Sequence, residues 1–156
     1  MGGDSRATLC RHRRRSRRSR AEAVEHIGST AVPGVLAKPI VDLALAVRAD
    51  TTVDDVALAM SPLGWIYRGD AGKNGGWVFV LEDAPWRRVA HTHGVAFGGT
   101  EWVRYIQFRD LLRRSATARR TYEETKQRLA RKHPDGRRLY TAGKAPTVEA
   151  LLAEEG

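Results

Sequence analysis

The chain has 156 residues, 42% hydrophobic and 29% charged, with a formal net charge of +9, which is typical of one globular domain and argues against a fibrous or wholly disordered chain. Its longest stretches free of charge, such as 89–100, are too short and too polar to cross a bilayer, so no membrane partner is expected. The single cysteine, Cys10, excludes an internal disulfide and a thiolate zinc cluster, and the cytoplasm is the expected location.

The positive charge is concentrated in residues 1–20, which hold eight arginines and one aspartate. The other 136 residues carry 19 basic and 17 acidic side chains and are nearly neutral. We therefore expect a disordered, arginine-rich tail over 1–20 and one domain over 21–156. The tail is interpreted as a non-specific nucleic-acid arm, as a targeting peptide or as a segment without a role, and the last is favoured. Nucleic acid is not expected as a partner of the domain itself.

Apolar patterns predict the strands of the domain. The run 39–47 is β-branched and nearly continuous, which is typical of a central strand, and a single acid, Asp42, interrupts it. Further strands are predicted over about 65–67, 77–81 and 89–97, with a glycine-rich loop over 69–76. In the last of these strands His91 and His93 are two residues apart and therefore share one face.

Helical periodicity and capping residues predict the helices. Thr51 and Thr52 begin a short helix that ends before Pro62, and Thr100 is the expected N-cap of the next helix. The C-terminal helices are predicted over about 100–114, 116–132 and 137–154. The last of them contains Pro146 and is either continuous or divided in two. The order of elements predicts an α+β fold, a small mixed sheet with helices packed on it and a C-terminal segment of two or three helices.

A segment ahead of the apolar run has the features of a phosphate site. Gly28 and Ser29 can present backbone amides and a hydroxyl to a phosphate with no side chain in the way. Lys38 adds a mobile positive charge, and Asp42, 13 residues after Ser29, offers a hard oxygen ligand to a divalent cation. A lone glycine-serine pair is usually an ordinary turn, but a carboxylate inside an apolar strand needs a partner.

Five motifs in the same order resemble the GrpB family, which also occurs fused to some dephospho-coenzyme A kinases. They lie at 26–34 with 37–42, 91–93, 108–113, 122–130 and 140–144. Together they extend over about 22–153, so the resemblance covers the whole predicted domain. GrpB proteins are similar to the nucleotidyltransferase superfamily, and the resemblance implies that fold here.

The resemblance also implies a site for a nucleotide or a phosphorylated small molecule. The nucleotide-binding candidates are His26, Gly28, Ser29, Thr30, Arg109 and Lys126. The catalytic candidates are Lys38, Asp42, His91 and His93. Asp42, His91 and His93 are also the candidate ligands of Mg²⁺ or another divalent cation, with the histidines as further ligands or proton acceptors.

The chain departs from the family pattern at several positions. Ala44 stands where an active nucleotidyltransferase usually has its second carboxylate, which argues against a two-metal mechanism. Thr125 and Leu111 replace a leucine and a tyrosine of the family motifs. Family members also have an apolar segment and an amphipathic helix ahead of residue 26, where this chain has its arginine run.

Two functions therefore stay open. The first is a metal-dependent nucleotidyltransferase acting on a nucleotide or a phosphorylated small molecule. The second is a catalytically degenerate nucleotidyltransferase fold that acts as a nucleotide- or metabolite-binding module. The absence of the second carboxylate favours the module, whereas the two histidines favour retained chemistry, although a pair of half-exposed sheet histidines without a metal is an equally good interpretation.

Overall fold

The structure, a computed structural model, describes residues 20–70 and 76–155. The expected tail lies outside the described residues except for Arg20, and so do residues 71–75 of the predicted loop. Arg20 is attached to the domain: its Nη1 atom lies 2.9 Å from Asp55 Oδ2 and donates to the carbonyl of Asp50 at 3.0 Å.

Within the described residues, five strands form one mixed sheet. The sequence predicts a mixed sheet and four of these strands. The five strands are β1 (Ala21–Ile27), β2 (Val41–Val47), β3 (Trp65–Asp70), β4 (Trp77–Ala84) and β5 (Arg87–Ala96). Their order across the sheet is β1-β2-β5-β4-β3. Strands β2 and β5 are parallel and the other neighbours are antiparallel. The predicted apolar strand, β2, is therefore an interior strand with a partner on each side.

Four helices complete the described part of the chain. They are α1 (Val53–Met60), α2 (Thr100–Arg114), α3 (Ala116–Lys132) and α4 (Arg137–Ala153). The Thr52 side chain caps α1, as predicted, and Asp55 completes a capping box. The prediction for α2 is wrong by one residue, because Gly99 occupies the N-cap and Thr100 is the first helical residue. None of the described helices has the length and apolarity that a membrane span requires.

Helix α4 is one continuous helix despite Pro146. It runs close to α3, where a Cβ atom on Gly143 would stand only 2.5 Å from Leu129 Cδ2. The same two helices meet at Thr125, whose hydroxyl is buried and lies 3.2 Å from the Thr147 hydroxyl. The threonine that replaces a family leucine is thus satisfied by a partner on the neighbouring helix.

Different elements cover the two faces of the sheet. Leu45, Val47 and Phe79 form a core with Val56 of α1 on one face. Because side chains alternate along a strand, the even-numbered residues of β2 point to the other face. That face is covered by α2, and a second core joins the C-terminal helices; its buried members are Val32, Leu111, Leu112, Ala118, Tyr122 and Leu151.

Strand β1 is absent from the sequence-based prediction. It pairs with β2 so that Ile27 lies opposite Asp42 and Glu25 opposite Ala44. Its residues are mainly alanine and glutamate, which favour helices, and Val24 is 58% exposed, so no alternation of apolar and polar residues marks the strand. Pairing with β2, rather than local preference, holds these residues extended.

Candidate functional site

The glycine-serine turn follows β1 directly and lies against Asp42. Gly28 has φ +70°, and a Cβ atom there would stand 2.8 Å from Asp42 Oδ2. Only glycine combines this backbone conformation with so close an approach. A short 3₁₀ turn over Ser29–Ala31 follows and returns the chain toward the helices. The turn and the strand acid, 13 residues apart in sequence, are therefore in contact.

The parallel register of β2 and β5 brings both predicted histidines to Asp42. Asp42 lies opposite His91, and Ala44 lies opposite His93. His91 Nδ1 is 3.1 Å from Asp42 Oδ1, whereas His93 Nε2 is 4.0 Å from the same oxygen. The two imidazoles thus share one face, as their spacing predicts, but only His91 is within hydrogen-bond distance of the carboxylate.

His91 connects Asp42 to an arginine that sequence reasoning missed. Arg137 Nη2 lies 3.1 Å from His91 Nε2. Because a guanidinium can only donate, Nε2 accepts and the proton of a neutral imidazole is on Nδ1, from which it is donated to Asp42. Both ring nitrogens of His91 are therefore engaged within the protein.

His93 lies against α2. Burial lowers the pKa of His93, and Asp42 and His91 act on it in opposite directions. Its ring packs on Tyr105, with the ring centroids 5.4 Å apart, and burial raises the pKa of Tyr105 to about 12. The Nδ1 atom of His93 is buried without a hydrogen-bond partner among the described residues. Tyr105 is a second contact that the sequence does not reveal.

We give the name basic cluster to four of the described cationic side chains near the turn and Asp42. They are Lys38, Lys126, Arg137 and Lys144. Lys126 Nζ lies 3.2 Å from Ser29 Oγ and donates to the carbonyl of Leu36 at 2.5 Å. Lys38 and Lys144 both lie over the ring of Tyr140, at 5.9 and 4.9 Å from its centroid.

The charges of the basic cluster act on one another. Burial lowers the pKa of Lys144, Asp42 opposes that change, and repulsion by Lys38 and Arg137 adds to it. Burial likewise lowers the pKa of Lys126 and of Arg137. A site in which cations are held together against their own repulsion is favourable for an anion, because the negative charge offsets that repulsion.

Arg109, a predicted nucleotide-binding residue, is bonded elsewhere. Its guanidinium contacts Glu25 at 2.6 Å, Asp110 at 2.8 Å and the carbonyl of His26 at 3.2 Å. These carboxylates hold its pKa above the usual value, the Asp110 hydrogen bond most strongly. Arg109 thus ties α2 to β1, and two neighbouring carboxylates already neutralise it.

His26 and Thr30, the remaining predicted contacts, form a pair of their own. His26 Nε2 lies 2.8 Å from Thr30 Oγ1 across the turn. His26 is exposed and Thr30 is half-buried. The structure therefore places both beside Ser29, and their role toward a nucleotide stays a prediction.

The arrangement around Asp42 does not fit a resident magnesium ion. Mg²⁺ prefers oxygen ligands in octahedral geometry, but Asp42 Oδ1 faces two imidazoles and Oδ2 faces Gly28. Ala44, at the position of a second carboxylate, is completely buried. In the described part of the chain, no three His, Cys, Asp or Glu side chains are grouped so that they could hold a metal ion.

Comparison with known proteins gives a consistent result. A sequence model described as GrpB protein matches residues 6–154. A UPF0157 protein of Deinococcus radiodurans is 37% identical over 147 residues, which cover 94% of this chain and 74% of that protein. A UPF0157 protein of Pseudomonas aeruginosa is 35% identical over 131 residues, which cover 83% of this chain. The matched part spans only 53% of the Pseudomonas protein.

A solved structure has the same fold. The crystal structure of the conserved protein GrpB from Enterococcus faecalis is similar to this chain with a TM-score of 0.71 and 31% sequence identity. The likeness covers 88% of this chain and 84% of the Enterococcus chain. The sheet and its helices are therefore shared with that protein.

Proposed function

The chain belongs to the GrpB family, and we propose that it binds a nucleotide or another phosphorylated small molecule at the basic cluster. The observation that carries this proposal is the convergence of Lys126, Lys144 and Arg137, each with a lowered pKa, on one turn and one acid. Phosphate oxygens accept hydrogen bonds from lysine and arginine and would relieve the repulsion among them.

The glycine-serine turn supplies the uncharged part of the proposed site. Ser29 offers a hydroxyl next to Lys126, and Gly28 has no side chain to obstruct a ligand. Lys38 and Arg137 are exposed and can meet a ligand from solvent, whereas Lys126 and Lys144 are half-buried. A ligand carrying more than one phosphate would contact both sets of cations.

The proposal is tested by the melting temperature, because a ligand that binds only the folded state stabilises it. A nucleoside triphosphate, a nucleoside monophosphate and inorganic phosphate are added without metal to the wild type and to two variants. We expect Lys144→Met to lose most of the stabilisation. Lys132→Met removes an exposed lysine at the end of α3 and serves as the matched control. Failure of all three phosphates to stabilise the wild type would contradict the proposal.

Metal-dependent nucleotidyl transfer is the second candidate, and the contact of Gly28 with Asp42 favours it, because this places a carboxylate beside the proposed phosphate site. A divalent cation would then arrive with the substrate's phosphates, as Mg²⁺ commonly does. The isosteric variant Asp42→Asn separates the candidates. It abolishes any Mg²⁺-dependent part of the stabilisation if Asp42 is a ligand. If the protein only binds an anion, Asp42→Asn strengthens the binding of phosphate compounds in the absence of metal, because the substitution removes a negative charge.

Two predictions stand apart from the site. The cytoplasmic location expected from the single cysteine stays a prediction. The favoured interpretation of residues 1–20, a segment without a role, also stays a prediction. Nucleic-acid binding whose affinity falls steeply with added salt would identify the alternative, a non-specific arm.

A further inference from the structure

The hydroxyl of Ser29 contacts two chemically active side chains of α3. Lys126 Nζ lies 3.2 Å from Ser29 Oγ. The buried phenol of Tyr122 lies close enough to Ser29 for the serine hydroxyl to act to lower the pKa of Tyr122. Residues 122 and 126 are four apart and therefore lie on the same face of the helix. A serine, a lysine and a tyrosine thus meet at the turn where the phosphate of a ligand is proposed to bind.

Lys126 is held in the position of a base. Its Nζ atom donates to the carbonyl of Leu36 and lies 5.1 Å from the centroid of the Tyr122 ring. A neutral amine in this place keeps one N–H for that carbonyl and directs its lone pair toward Ser29. Burial lowers the pKa of Lys126, Glu123 opposes the change and Lys144 adds to it. The neutral form is therefore more populated than in a free lysine.

Tyr122 is not an alternative base. Burial raises the pKa of Tyr122 to about 12. Its phenol therefore keeps its proton at neutral pH and can only orient the serine. Of the two α3 side chains at Ser29, the lysine is the one able to take a proton.

We propose that Ser29 is a nucleophile, that Lys126 is its general base, and that Ser29 attacks a phosphorus atom of a phosphoanhydride. Pairs of serine and lysine are an established solution for activating a hydroxyl. The class of electrophile rests on the proposed function, because it is the basic cluster that selects a phosphate ligand.

The step balances with the groups present and a nucleoside triphosphate. A bond forms between Ser29 Oγ and the α-phosphorus, and the bond from that phosphorus to the bridging oxygen breaks. Pyrophosphate leaves with the electron pair, and the hydroxyl proton passes to Lys126 Nζ. Ser29 then carries a nucleoside monophosphate in ester linkage. Lys144 and Arg137 compensate the charge that develops on the transferring group.

The test uses a fluorophosphonate on the full chain, because this reagent reports an activated serine without needing the natural substrate. Attack by Ser29 forms the oxygen–phosphorus bond and releases fluoride. Intact-mass measurement followed by peptide mapping is expected to find one adduct, on Ser29. Ser29→Ala is expected to abolish it. Ser61→Ala removes an exposed hydroxyl at the end of α1, outside the proposed site, and is expected to leave the adduct unchanged.

The lysine is tested by Lys126→Arg, which keeps a positive charge and a donor but cannot accept a proton near neutral pH. We expect labelling about a hundredfold slower. In the wild type, the labelling rate should rise with pH and level off below the ordinary lysine value of 10.5. This pH profile tests Lys126 as the base even if Lys126→Arg fails to fold. The melting temperature of each variant shows whether it folds.

Two outcomes would overturn the inference: an adduct absent from Ser29 in the wild type, or equal labelling rates in the wild type and folded Lys126→Arg. These failures are distinguishable from failure of the proposed function. If phosphates stabilise the protein but Ser29 is unreactive, the proposed phosphate binding is supported and the role of Ser29 as a nucleophile is contradicted. If Ser29 is labelled but no phosphate stabilises the protein, Ser29 is activated for another electrophile. That result contradicts both the attack on a phosphoanhydride and the proposed function.

Discussion

The two faces of the sheet are built from the same strands but differ in what they carry. On the α1 face, Leu45, Val47 and Phe79 are buried and apolar. On the opposite face, the side chains of Asp42 and His91 keep 32% and 15% of their surface exposed, beside a completely buried Ala44. The alternation of side chains separates a stabilising surface from the proposed binding surface within a single strand. Substitutions on the first should change stability, and substitutions on the second should change ligand affinity.

The largest effect is expected at the centre of the α1 face. Phe79 is fully buried, so Phe79→Ala should lower the free energy of unfolding by about 3–5 kcal/mol. Phosphate affinity per folded molecule should not change. Urea denaturation measures the loss, and Phe97→Ala, which removes a ring that is 57% exposed, should cost about 1 kcal/mol or less. Similar losses of unfolding free energy in the two variants would show that Phe79 does not lie at the centre of the core.

A change at the turn should affect both quantities. Gly28→Ala places a Cβ atom 2.8 Å from Asp42 Oδ2 at φ +70°, so it should cost about 1–3 kcal/mol and displace Asp42. Gly34→Ala is the matched control, because Gly34 has φ +80° but no atom within 4 Å of the added Cβ. We expect both variants to lose stability and only Gly28→Ala to change phosphate affinity, as measured by titration calorimetry. Equal phosphate affinity in the two variants would show that the turn at Gly28 is not part of the binding site.

A smaller effect is expected at the start of α1. Thr52→Ala removes the side chain that accepts from the Asp55 amide, and loss of such a cap costs about 1 kcal/mol. Thermal unfolding should show this loss while phosphate affinity stays the same. Altered affinity would mean that the two faces are coupled through the sheet.

The smallest effect is a fractional uptake of protons on binding. The pKa of Lys144 is lowered in the free protein, and a bound phosphate raises it again. Between the free and bound values binding adds protons, so affinity should fall as the pH rises through that range. Calorimetry in buffers of different ionisation enthalpy measures the uptake, and Lys144→Met should reduce it. Proton release on binding would contradict the assignment.

The sequence predicts the helices better than the strands. The bounds of α3 follow from its period and from the break at 133–136, and they are confirmed. The capped start of α1 is confirmed for the same kind of reason, since a cap is a local interaction. Strand β1 was missed because its extended form depends on pairing with β2, which no local pattern of alanine and glutamate encodes.

The same difference between local and long-range contacts decides which residues of the candidate site could be predicted. The turn, Asp42 and the two histidines could be placed together from spacing and family resemblance, and the register of β2 and β5 agrees. Arg137 and Tyr105 could not, because their contacts with the histidines join positions far apart in the chain. Arg109 was predicted as a nucleotide-binding residue, and its bond to Glu25, 84 positions away, depends on the folded chain.

The parallel pairing of β2 with β5 has a consequence for how the protein acquires its site. Asp42 and His91 are 49 positions apart, and β5 can join β2 only after the hairpin strands between them have been made. Contacts of such long range form slowly, since the intervening chain must first be ordered. Arg137 and Lys144 lie still further along the chain, in α4. The residues of the α1 face, up to Phe79, are therefore synthesised before the cations of α4 that complete the basic cluster.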